Sequence, residues 1–128
     1  MNLQYSFDGE TWTPYAIGDT LTLSNVGDKV YMKSVGSNEG MASGNAYYNQ
    51  FVMTGKIAAS GNVNSLLEED DETARTMSLG FFSLCKLFYG CTSLTQAPEL
   101  HATTLVSNCY ASMFYGCTSL RIVSVHIT

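Results

Sequence analysis

Leu3, Tyr5 and Phe7 alternate with Gln4 and Ser6, a period of two that predicts a half-buried strand. Asp8-Gly9 follows as a hairpin signal. Trp12 and Tyr15 open a return segment, and Pro14 inside it predicts an edge strand, because proline cannot donate to a ladder. Alternation resumes over Thr20–Ser24, Asn25–Asp28 reads as a turn, and Lys29–Lys33 reads as another strand. Residues 34–46 are rich in Gly, Ser and Asn and predict a loop. Gln50–Ala59 returns to strand-type residues with Phe51, Met53 and Ile57 inward. Five short strands between turns predict a small antiparallel sheet or sandwich.

The second half changes period. Phe88-Tyr89-Gly90-Cys91-Thr92-Ser93-Leu94 recurs, residue for residue, as Phe114-Tyr115-Gly116-Cys117-Thr118-Ser119-Leu120, 26 positions later. Leu79 and Leu105 keep the same offset. Periods of about 20 to 29 residues belong to leucine-rich solenoids. Within a unit, Cys109, Met113 and Cys117 are spaced i, i+4, i+8, and Tyr110 and Phe114 form a second i, i+4 pair. The counterparts are Ser83, Leu87 and Cys91, with Leu84 and Phe88. That stripe predicts a short apolar helix ended by a left-handed cap at Gly90 and Gly116, then a strand from Leu94 or Leu120. One such unit cannot bury both its faces, so units must stack. The division is a β-rich head over 1–62, an acidic connector over 63–75, and repeats over 76–101 and 102–127. The expected class is α+β, with a small antiparallel head capping a solenoid of about two units.

Composition narrows the function. Hydrophobic residues are 45% of the 128 and charged residues 13%, too apolar for a disordered chain. No apolar run is long enough to span a membrane, so no membrane insertion is expected. Net charge is −5, and five of the eleven acidic residues form the unbroken run Glu68–Glu72. No basic patch exists to neutralise phosphates, so nucleic acid is not an expected partner. The acidic run lacks the spacing of a calcium loop and reads as a solvated loop or a first helical turn, where carboxylates suit the positive dipole end. Cys85, Cys91, Cys109 and Cys117 contain no Cys-x-x-Cys pair and leave the first 84 residues unstapled. They read as buried free thiols, not as a zinc site or disulfide framework. Met1–Tyr5 has neither the basic nor the apolar region of a signal peptide. No nucleophile elbow, phosphate loop or dinucleotide fingerprint is present, so no enzyme, catalytic residue, metal or cofactor is expected.

The repeat word, followed by Thr95-Gln96-Ala97-Pro98-Glu99-Leu100 and Ala102-Thr103-Thr104-Leu105, resembles the BspA-like leucine-rich repeat of gut Bacteroidetes surface proteins. The opening Leu3–Gly9 with Thr11-Trp12-Thr13, and the stretch Phe51–Asn62, resemble the β-rich head that often precedes such repeats. The resemblance implies an exported or surface-displayed protein that adheres to a host protein or glycan without catalysis. The chain departs from the family in its small number of repeats, in His101 where a proline is usual, and in its final segment Arg121–Thr128.

Two sets of residues are the functional candidates. Trp12, Tyr15, Tyr47 and Tyr48 could form a sugar-stacking platform, against which stands burial of Trp12 and Tyr15 over the head's core. Tyr89 and Tyr115 occupy equivalent positions and are expected to stack as a ladder, either structural or ligand-binding. Cys91 and Cys117 form a second ladder, expected to be buried and unreactive. His101 and His126 read as ordinary surface or strand residues. Ile122, Val123, Val125 and Ile127 would place an apolar row on a terminal strand, an edge for homo-oligomer formation or a terminal cap. A structural module, such as a fimbrial or phage-fibre tip or spacer, is the alternative to a binding protein.

Overall fold

The computed structural model describes residues 2–102 and 106–120. The architecture is mixed α+β, with a three-stranded antiparallel sheet, a two-stranded parallel pair and little regular helix. In the first sheet β1 (Leu3–Ser6) is central, flanked by β2 (Thr13–Tyr15) and β3 (Tyr31–Ser34). Gln4 opposes Pro14 across one seam and Lys33 across the other. Pro14 thus lies on an edge strand, where its missing N–H interrupts no ladder. Thr20–Ser24, expected as a strand, forms none, and the strand within Gln50–Ala59 pairs elsewhere, so three strands share this sheet rather than five. Phe7, expected to follow Leu3 and Tyr5 inward, is 53% exposed because β1 stops at Ser6.

The turn after β1 is built on Asp8. Its carboxylate accepts from the N–H groups of Glu10 and Thr11 and from the Ser6 hydroxyl, each at 2.8 Å. These donors hold the Asp8 carboxyl at a pKa of about 2, the Thr11 N–H contributing most. A connection of six residues, 7–12, replaces the two-residue hairpin that Asp8-Gly9 suggests.

Asn38 ties the head to the segment that follows. Its side-chain amide donates to the Asn2 carbonyl at 3.0 Å, the Ser34 hydroxyl at 3.0 Å and the Leu66 carbonyl at 3.1 Å. Its backbone N–H donates to the Leu67 carbonyl at 2.7 Å. Residues 63–75 carry more than the acidic run: Val63, Leu66, Leu67 and Ala74 are buried there. A 3₁₀ turn (Val63–Leu66) and the short helix α1 (Asp71–Thr76) are locked together by Asn62 and Asn64, whose amides both donate to the Ala74 carbonyl at 3.0 Å. The acidic residues divide their tasks. Glu68 and Glu69 accept from Ser37, Gly36 and Gln4 of the head, Asp70 caps α1, and Asp71 and Glu72 occupy its first turn. Among the described residues no cluster of acidic, His or Cys side chains is arranged to hold a metal ion.

The repeat backbone is not the helix that its i, i+4 stripe suggests. Over 81–90 and 107–116 the chain forms overlapping four-residue turns. The N–H groups of Cys85, Leu87, Tyr89 and Cys91 each donate three residues back. Those of Leu84, Lys86, Phe88 and Gly90 donate instead to Cys109, Ala111, Met113 and Tyr115 of the next unit, at 2.7–3.0 Å. Positive φ recurs every fourth residue, at Phe82, Lys86 and Gly90, and again at Asn108, Ser112 and Gly116. A left-handed residue costs a non-glycine side chain about 1–2 kcal/mol, and the inter-unit hydrogen bonds offset that cost. Gly116 also lies where backbones meet: a Cβ there would stand 3.4 Å from the Gly90 Cα.

A further segment joins this arrangement without sharing its sequence. Phe51 and Ile57 lie 37 residues before Phe88 and Leu94. The Phe51 N–H donates to Leu87 at 2.8 Å, and β4 (Ile57–Ala58) pairs in parallel with β5 (Leu94–Gln96). The rings of Phe51, Phe88 and Phe114 stack in series, at 5.1 and 5.7 Å between centroids. The Cys91 thiol donates to the Phe51 carbonyl and the Cys117 thiol to the Phe88 carbonyl, both at 3.0 Å. Residues 49–63 therefore take the place of a unit ahead of the two visible in the sequence. The buried core runs through all three segments and reaches the head at Leu3 and Met41.

Candidate functional site

The loop over 40–49 carries tyrosine to the repeat face. The Met41 N–H donates to the Ser83 carbonyl at 2.6 Å, and the Asn49 N–H and side-chain amide both return to the Met41 carbonyl. Gly40 passes so close that a Cβ would lie 3.1 Å from the Ser83 Cα, which is why glycine stands there. The docked loop presents Asn45, Tyr47 and Tyr48. The Lys86 ammonium donates to the Asn45 carbonyl at 2.9 Å. It also stands 4.7 Å from the Tyr48 ring centroid and 5.2 Å from that of Tyr89. Tyr89 in turn stacks on Tyr115, 5.3 Å between centroids and 12° from parallel.

The result is a surface column of ring, cation, ring and ring. Tyr89 is thus in contact with both the Lys86 ammonium and the Tyr115 ring. Tyr115, 67% exposed, has its far face free of any ring contact among the described residues. Tyr47 is 77% exposed and Tyr48 37%. All eleven acidic side chains lie within the described residues, and none forms an ion pair with Lys86. Among the described residues the one hydrogen bond of its ammonium is to the Asn45 carbonyl.

The structure unites only part of the expected aromatic set. Tyr48, Tyr89 and Tyr115 come together, with Tyr47 beside Tyr48 in the chain. Trp12 and Tyr15 make their contacts in the head sheet instead. Lys33 lies 4.3 Å over the Trp12 ring, and Tyr15 packs edge-on against Tyr5 and donates to the Asp19 carbonyl at 2.6 Å. Lys86 is the residue that sequence reasoning missed. Its signal is faint: a lysine where the equivalent position of the next unit holds Ser112. Ile122, Val123, Val125 and Ile127, the expected association edge, lie outside the described residues.

All four cysteines are free thiols and buried. Burial pushes the Cys91 thiol up, reinforced by Cys117, and burial likewise raises Cys117. Both stay protonated at neutral pH, as their bonds to the Phe51 and Phe88 carbonyls require. They are structural donors, not nucleophiles.

A cleft of about 490 Å³ opens elsewhere, lined by Asn62, Ser65, Asp71, Arg75, Glu99 and His101. His101 Nε2 lies 3.2 Å from a Glu99 carboxylate oxygen. Both charge signs line this cleft. No helix among the described residues is long and apolar enough to cross a membrane.

No family model, curated protein or solved structure matches the chain.

Proposed function

We propose that this chain is a non-catalytic binding module, in which a β head is followed by a short leucine-rich-repeat solenoid. Its ligand is a protein or glycan held on the face of Tyr47, Tyr48, Tyr89 and Tyr115, and its setting is a cell surface or the extracellular space. The solenoid reading is supported by the 26-residue recurrence of φ values, turn bonds and stacked rings. The binding reading rests on one observation: large aromatic side chains are held out in solvent around a lysine. Exposed aromatic clusters mark interaction surfaces, since folding alone gains nothing by displaying them.

The test is a binding screen against immobilised extracellular-matrix proteins, mucin and polysaccharides at physiological salt. A saturable hit that weakens in Tyr115→Ala or Tyr47→Ala is expected. A blank across the screen from folded protein rejects the reading.

A second reading, an assembly module, draws on a different observation. The N–H groups of Tyr110, Ser112, Phe114 and Gly116 occupy the row whose counterparts at Leu84–Gly90 donate to the following unit. Among the described residues they have no acceptor. Such a row favours a further backbone beside it. Light scattering separates the two: a stable oligomer across concentration supports assembly, and a monomer supports ligand binding.

A further inference from the structure

We propose that the ligand of the tyrosine–lysine column is an acidic glycan, with a carboxylate or sulfate on Lys86 and a sugar ring on the exposed ring of Tyr115. The inference rests on the binding reading above and narrows it to a chemical class.

Lys86 is placed for an anion. Its nitrogen is fixed by the Asn45 carbonyl at 2.9 Å and by the rings of Tyr48 and Tyr89. A lysine held by three neighbours has already lost much of the rotamer freedom that binding would otherwise consume. None of those neighbours is anionic, so its charge remains uncompensated by any acidic side chain of the chain itself. A carbonyl and two aromatic faces orient the ammonium without neutralising it.

Lys33 supplies the comparison. It also lies over an aromatic ring, that of Trp12 at 4.3 Å, but that pairing has one ring and no exposed stack alongside. At Lys86 the cation adjoins Tyr89, which continues into Tyr115. An extended ligand can therefore place its charge at one end of the column and an apolar face at the other. A saccharide supplies both, because the C–H face of a pyranose packs on an aromatic ring while a uronate, sialate or sulfate projects from its edge. A disaccharide or longer suits this arrangement, since Tyr89 touches both Lys86 and Tyr115 and lies along the path between them. A neutral glycan would leave the lysine unsatisfied. An acidic peptide would need an aromatic or proline ring at the right spacing to meet both, and capture of a protein alone in the screen would assign the column to such a peptide.

The experiment titrates ¹⁵N-labelled full chain with a panel of oligosaccharides: oligogalacturonate, a sialylated oligosaccharide and a sulfated one. Each is paired with its neutral counterpart, the methyl ester or the desulfated form. At least one acidic member should shift the amides of Lys86, Tyr89 and Tyr115, with its neutral counterpart weaker by roughly tenfold, as expected for a hydrogen bond to a charged group. Lys86→Gln should abolish that difference with the spectrum otherwise preserved. Tyr115→Ala should weaken acidic and neutral members alike. The inference is overturned if every acidic member binds no better than its neutral counterpart, or if Lys86→Gln leaves the preference intact. Equal binding of both forms, or binding of a protein from the screen alone, would keep the binding reading and remove the acidic-glycan assignment. No binding by any glycan or protein would remove both.

Discussion

Cys117 makes toward Phe88 the same bond that Cys91 makes toward Phe51, a thiol donating to a phenylalanine carbonyl at 3.0 Å. The second bond joins the two sequence repeats. The first joins a repeat to a segment that shares none of its words, so the relationship identifies residues 49–63 as structurally equivalent. It also determines how the thiols should behave. With their pKa values raised, Cys91 and Cys117 remain protonated well above neutral pH. A thiol reagent at pH 8 should leave both unmodified in the native protein, and denaturant should release them together with Cys85 and Cys109. Rapid native labelling of Cys91 or Cys117 would contradict the buried geometry.

The phenylalanine column should dominate stability in the second half. Phe88 is buried between Phe51 and Phe114, and Phe88→Ala should cost about 3–5 kcal/mol. Phe51→Ala should cost less, because that ring is only partly buried. A double-mutant cycle on the pair should show coupling of about 0.5–1.5 kcal/mol, measured by urea denaturation. Additivity would mean that the rings do not stack in solution.

Asn38 is expected to be the most sensitive polar residue of the head. Asn38→Ala removes the donor shared among Asn2, Ser34 and Leu66 and leaves the part-buried acceptors on Ser34 and Leu66 without it. The loss should be about 1–3 kcal/mol. Asn38→Asp should not rescue it, because a carboxylate cannot donate to those oxygens. Thermal denaturation of the two variants beside the wild type measures both effects.

Asp8 sets an acid limit on the first turn. Its pKa is about 2 in the folded chain against 3.8 for the free group, so folding favours the carboxylate. Its contribution to stability is present above about 3.8 and is lost as pH falls through about 2. Carbon-detected NMR should find its carboxyl titrating near the lower value. In Asp8→Asn the amides of Glu10 and Thr11 should exchange faster at neutral pH. Titration near 3.8 would show that the turn is open.

Gly116→Ala should destabilise the last unit. The residue has φ 78° and backs onto Gly90. A cost of about 1–2 kcal/mol is expected from the left-handed backbone, with tight contact to Gly90 adding to it. Hydrogen exchange localises the effect if the amides of Phe88 and Gly90, which donate to Met113 and Tyr115, lose protection first.

Some of this architecture was legible in the residues. Pro14 placed β2 at an edge, and the seven-residue word repeated 26 positions later placed Tyr89 against Tyr115. The stripe of Cys109, Met113 and Cys117 correctly marked a buried face, yet the backbone beneath it is a ribbon of turns. Both structures return a side chain to one face after about four residues, so i, i+4 spacing alone does not tell them apart. The difference lies in where the N–H groups go, and that depends on a neighbouring unit. Residues 49–63 escaped notice because only Phe51 and Ile57 retain side chains of the matching kind. Lys86 was hidden for another reason: its setting is assembled from a loop 40 residues earlier, through Asn45 and Tyr48.

The fixed register between units has a consequence for heredity. Each backbone bond between the two sequence repeats joins residues 25 apart, one short of the repeat length, as with Leu84 and Cys109 or Gly90 and Tyr115. Duplicating 26 codons would reproduce every such partnership, whereas inserting one codon inside a unit would misalign all those beyond it. The aromatic face can therefore lengthen by whole words, each bringing its own tyrosine, while the position held by Lys86 and Ser112 remains free to vary from copy to copy. Selection could thus edit what the surface recognises without renegotiating how it folds.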